Sequence, residues 1–164
     1  MESSCMKENM NVYFRARKHA AMYNDKLYSR EGASELLGVS VSTLADYELG
    51  NTKVVPVDKV VLMADLYHCP ELKTGYCKKE CPIGKNMPLA TEAKGLEGIT
   101  LRLVQQFDSE ELNSMKKSLI NIAADGIISE DERPELDLIL KKLDDMALAI
   151  SEMKLTAEKM KGER

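Results

Sequence analysis

The chain has no tryptophan, only two phenylalanines and only two histidines among 164 residues. With so few large rings, leucine and methionine are left to fill the interior, a composition that suits packed helices. His19 and His68 stand apart from any recognisable nucleophile motif, and no glycine-rich phosphate loop is present, so nothing points to an enzyme. No apolar run reaches the roughly 18 residues that crossing a membrane takes. The first ten residues, MESSCMKENM, lack the basic and apolar segments of a secretion signal. Four cysteines without such a signal predict a cytoplasmic protein with reduced thiols. The net charge of −4 does not advertise nucleic-acid binding, yet residues 1–30 hold six cations against three acids, a local charge of +3. A basic stretch of this kind can meet phosphates while the whole chain stays acidic.

What is present is a strong local pattern from Ser29 to Pro56. Ser29 is placed to cap a helix with Ala33, Leu36 and Leu37 as its apolar stripe. Gly38 suits a left-handed helix end, Val39 plugs the turn, and Ser40 caps a second helix that Gly50 closes. In that second helix Leu44 and Tyr47 face inward, while Val41, Ser42, Thr43 and Asp46 face outward. A first helix, NVYFRARKHAAMY, precedes the pair with Val12, Ala16, Ala20 and Tyr23 on one face. A fourth, VDKVVLMADLY, follows Pro56 with Val61, Ala64 and Leu66 as core.

Ala33, Leu37, Gly38-Val39-Ser40, Thr43-Leu44, Tyr47-Glu48, Gly50 and Pro56 together resemble the Cro/C1-type (XRE) helix-turn-helix family of phage repressors and bacterial regulators. The resemblance covers about residues 8–68. It implies a partner, double-stranded DNA, with the helix at 40–49 in the major groove. It places base-edge contacts at Val41, Ser42 and Asp46, sets Thr43 nearer the backbone, and includes the cap Ser40 in the contact set. Arg30 and Lys53 are the phosphate candidates it implies. The outward face has no Arg, Lys, Gln or Asn, so the familiar bidentate readings of guanine and adenine are missing. The link NDKLY is longer than is usual in the family, which leaves open which helix 1 arginine, if any, pairs with Glu48.

Beyond the fourth helix, HCPELKTGYCKKECPIGKNMP reads as an irregular segment with one helical turn around Cys77–Cys81. Cys69, Cys77 and Cys81, beside His68, offer a zinc-type donor set at an unusual spacing, with Cys5 as a remote fourth. Cys81-Pro82 also has the dipeptide that ends some iron–sulfur motifs. Simple loop thiols and a redox-switchable Cys77–Cys81 pair are the other readings. Tyr-Cys-x3-Cys-Pro-Ile-Gly, with LATEAKGLEGITLRL and IAADGIISEDE further on, also resembles a group of small Firmicutes regulators, which implies transcriptional regulation and supplies no ligand. Asn121–Glu132 partly matches a calcium loop, but Ala123 falls at a ligand position. A capped helical junction, with Ser129 and Glu132 as a capping box, is the better account.

The remainder predicts helices. One carries Leu96, Ile99, Leu103 and Phe107. A second, capped by Ser109, carries Leu112, Met115, Leu119 and Ile122. A third runs from about Glu132 to Lys161, with Leu136, Leu140, Leu143, Ala147, Ile150 and Ala157 approximating a heptad seam flanked by Met146 and Met153. The expected fold is all-α: a Cro/C1-type bundle with its Cys extension over 8–83, a linker over 84–95, and a helical hairpin or coiled-coil-like oligomerisation region over 96–164. The expected function is a dimeric repressor. A protein-interaction module, antitoxin-like or phage-inhibitor-like, and a metal- or redox-sensing regulator are the alternatives.

Overall fold

A computed structural model describes residues 11–124 and 126–162; the polar start at residues 1–8, Cys5 and Asp125 lie outside them. Among the described residues every regular element is helical, and no helix is long and apolar enough to cross a membrane.

Helix α1 (Val12–Ala20) begins at Asn11, whose Oδ1 accepts from the Tyr13 amide at 2.8 Å. The same side chain donates to the Tyr47 carbonyl at 3.0 Å, tying the start of α1 to the third helix. A short 3-10 turn, Asp25–Leu27, leads into α2 (Arg30–Leu37), capped by Ser29 on the Gly32 amide at 3.0 Å. Gly38 ends α2 at φ +61°, and Ser40 starts α3 (Val41–Leu49) by accepting from the Thr43 amide at 3.0 Å. Gly50 closes α3 at φ +72°. Both glycines occupy left-handed backbone that a Cβ would strain.

Helix α4 (Val57–Leu66) follows Pro56 and buries Val60, Met63, Ala64 and the following Tyr67. The expected register is corrected here: Val61 is exposed and Leu66 half-buried, because the 60/63/64/67 face meets the core. Two further stripe residues, Leu36 and Tyr23, and the edge residue Val12 are also exposed. His68 ends α4 in the left-handed region at φ 50°, with the Cys69 amide bonding back to the Ala64 carbonyl at 2.9 Å. The segment expected to be irregular is instead a nine-residue helix, α5 (Glu71–Lys79). Pro70 at its start needs no helical N–H, and Glu71 and Lys78/Lys79 match its two dipole ends. Helices α1–α5 close one apolar core that runs from Ala16 to Leu72.

Of residues 84–95, expected to be a linker, Gly84–Asn86 form a 3-10 turn packed on α5, and Ala90 and Lys94 bond to the last helix. The Ala90 amide donates to Ser151 Oγ at 2.9 Å, and the Lys94 amide to Thr156 Oγ1 at 3.2 Å. Helix α6 (Leu96–Gln106) packs along the same helix and buries Ile99. Helix α7 (Ser109–Ile122) is capped by Asp108, not Ser109; its Oδ1 takes the Glu110 and Glu111 amides at 3.1 and 2.9 Å. Glu132 Oε2 accepts from the Ser129 amide and hydroxyl at 2.9 and 2.7 Å, the back-bonding half of the expected capping box.

Helix α8 (Arg133–Gly162) has 30 residues, about 45 Å. Its buried face runs through Ile139, Ala149, Glu152, Leu155 and Thr156. The expected seam is one register away: Leu140, Leu143 and Ile150 are exposed, and Leu136, Ala147 and Ala157 are half-buried. The far end of α8 docks on α5, where Lys159 Nζ meets Glu71 Oε1 at 2.5 Å and Lys73 Nζ meets Glu158 Oε1 at 2.8 Å.

Candidate nucleic-acid interface

The arrangement is built around Glu48, which is fully buried on the inner face of α3. Arg17, also buried, grips it with two bonds: Nε to Oε1 at 2.5 Å and Nη2 to Oε2 at 3.0 Å. Its Nη1 donates to the Leu27 and Tyr28 carbonyls at 2.9 and 3.1 Å, so one guanidinium also secures the turn before α2. Arg30, at the start of α2, adds Nε to Glu48 Oε2 at 2.8 Å. The long link before Ser29 therefore does not prevent pairing; it supplies the carbonyls that complete Arg17. A buried charge cluster of this kind specifies an arrangement more than it adds net stability. Burial first, and then the Glu48 carboxylate, push the nearby Tyr67 phenol well above its usual value, so it stays neutral.

With α1, α2 and α3 fixed in this way, Val41, Ser42 and Asp46 are exposed and Thr43 is half-exposed. Ser40 is engaged as the cap, and its Oγ lies 2.9 Å from Ser42 Oγ and 2.8 Å from Thr43 Oγ1. The three hydroxyls thus form one cluster at the start of α3. Asp46 Oδ1 accepts from Asn51 Nδ2 at 3.0 Å, and its carbonyl accepts the Asn51 amide at 3.0 Å. Sequence reasoning missed Asn51; the signal was a short amide side chain just past the Gly50 helix end. It also missed Lys18, whose Nζ sits 4.8 Å over the Tyr28 ring and donates to the Tyr28 carbonyl at 3.1 Å. Lys53 is exposed in the loop after α3. Arg30 is 34% exposed, with its Nε spent on Glu48.

Cys69, Cys77 and Cys81 are free thiols, and among the described residues no cluster of three His, Cys, Asp or Glu is arranged to hold a metal ion. Cys69 Sγ instead donates to Glu71 Oε2 at 3.4 Å. Burial, then the Glu71 carboxylate, push its thiol up to about 11, so it stays protonated at neutral pH. Cys77 belongs to α5 and Cys81 lies beyond it, while His68 serves as the turn after α4. The calcium-type segment begins inside α7, which continues through Asn121 and Ile122.

Comparison with protein-family profiles, with curated proteins and with solved structures finds no match to this chain.

Proposed function

We propose that this protein is a sequence-specific DNA-binding transcriptional regulator, a dimeric repressor that lays α3 in the major groove. The observation that carries the reading is the capped α2–turn–α3 pair, pinned from behind by the buried Arg17–Glu48–Arg30 cluster, with small polar side chains on its outer face. Rigid presentation of a helix is what groove reading requires. On this reading Ser42 and Asp46 meet base edges, Val41 meets a thymine methyl, and Thr43 and the Ser40 cap lie by the backbone. Arg30 and Lys53 take phosphates. The dimer forms through the C-terminal helices, where Leu101, Val104, Ile120, Leu140 and Leu143 are exposed apolar side chains that a second copy would cover. Two α3 helices then sit about 34 Å apart and block a promoter sterically.

The test is binding of the full chain to its own upstream DNA against scrambled DNA over a salt series. A clear preference that falls steeply with salt is expected, and Arg30→Ala should lower the salt slope by about one contact. Equal, weak binding to both DNAs overturns the reading. One observation favours a second reading, a protein-interaction module. The outer face of α3 carries no cation, and the carboxylate it does carry, Asp46, is exposed.

A further inference from the structure

We propose that the open cleft bordered by α1, the end of α3, α5 and the tip of α8 binds a small amphipathic organic anion with a flat apolar body. The cleft measures about 830 Å³, within the range of small-molecule sites. Its most informative wall is Gly75, in the middle of α5. A mid-helix glycine weakens a helix and usually repays that by letting another chain segment approach. At Gly32 and Gly84 an added Cβ would collide with the Lys26 and Cys77 carbonyls; at half-buried Gly75 it would meet nothing within 4 Å. The missing side chain therefore serves no packing contact and leaves space inside the cleft.

Tyr13, Tyr47 and Tyr76 are among the lining residues, a composition that suits a flat body. Burial, followed by Glu80 and Tyr76, pushes the Tyr13 phenol up to about 12, and its hydroxyl is a hydrogen-bond donor. Arg15, Lys53 and Lys79 also line the cleft, and among the described residues none of them forms an ion pair. The Glu71 carboxylate is already matched by Lys159 at 2.5 Å. The remaining acids of the lining, Glu80 and Glu92, are outnumbered by these three cations. An anionic head group is the charge the site lacks.

The probe is 8-anilinonaphthalene-1-sulfonate, titrated by fluorescence into the full chain without DNA, so the outcome is independent of the regulator reading. Saturable binding of one molecule per chain is expected. Gly75→Leu should fill the cleft and weaken binding at least tenfold while the melting temperature holds or rises, since leucine favours the helix. Arg15→Ala combined with Lys79→Ala, both at exposed positions, should weaken binding severalfold, with a smaller effect at high salt. If a folded Gly75→Leu protein binds the probe as the parent does, the cleft is not the site and the proposal fails. If Gly75→Leu does not fold, undiminished binding by the double alanine variant overturns it instead.

Discussion

Glu48 and Glu152 are both buried carboxylates holding two cations, one in each half of the chain. Their surroundings differ. Arg17 is as buried as Glu48 and gives it two bonds, whereas Lys94 and Arg102, the partners of Glu152, are 47% and 45% exposed. Around Glu48 the core closes continuously from Ala16 to Leu72. In the second half the buried apolar residues are sparse, chiefly Ile99, Ile139, Ala149 and Leu155, while Leu101, Val104, Leu140 and Leu143 stay exposed. The first half thus finishes its interior within one chain. The second clamps α6 and residues 90–94 onto α8 around fewer buried apolar side chains; both halves leave large apolar side chains exposed, Met22, Leu36, Val61 and Leu62 in the first, Leu101, Val104, Leu140 and Leu143 in the second. The proposed function assigns the first half to presenting α3 and the second to pairing with another copy.

The sharpest way to break this comparison is to remove Glu48. Glu48→Ala leaves the Arg17 guanidinium buried without a counter-charge and should cost about 3–5 kcal/mol in urea unfolding. A cost below about 1 kcal/mol would mean the first half is no more tightly held than the second. Next in size is the exposed apolar surface of the second half. Val104→Asp with Leu143→Asp should weaken self-association at least a hundredfold, about 2.8 kcal/mol, in sedimentation equilibrium, and leave α1–α5 folded. A parent chain that is already monomeric at high concentration would break the comparison from the other side. Glu152→Ala comes third, at about 1–2 kcal/mol, since both freed cations return to water. Its diagnostic is faster amide exchange at Ala90 and Lys94, the two amides held by Ser151 and Thr156 on the same helix.

The two halves were also unequally legible in the sequence. Caps and turns at Ser29, Gly38, Ser40 and Gly50 could be read, because their chemistry lies within a few residues. The pairing of Glu48 with Arg17 could not be chosen over Arg15, because it depends on how the 25–28 turn presents its carbonyls to α1. In α8 two stripes compete. The one that is buried passes through half-buried Lys142 and through Glu152 and Thr156, so it looks polar beside the more hydrophobic stripe of Leu136, Leu140 and Leu143. Pro70, Gly75 and three cysteines disguised α5 as a loop, although the proline stands where a helix tolerates it and the glycine is mid-helix. Nothing local marks residues 90–94 as docked, since the contacts are backbone amides meeting hydroxyls some sixty residues away.

The joint between the halves gives the smallest effect and tests whether they are coupled at all. Burial works against the Glu71 carboxylate, but the Lys159 ammonium from the end of α8 outweighs it and holds the group below its usual range. A carboxyl with a depressed folded value stabilises the fold at pH above its unfolded value, about 4.3, and loses that contribution as pH falls through the folded value. Lys159→Gln should therefore lower stability at pH 7 by about 0.5–1 kcal/mol, the scale of a partly exposed pair, and leave stability at pH 2 nearly unchanged. Urea unfolding at the two pH values checks this. An equal loss at both would assign Lys159 a packing role, because the stem of its side chain would then matter more than its charge. A loss confined to neutral pH would show that α8 holds the first half electrostatically, through a contact weak enough to open while the core around Glu48 stays closed.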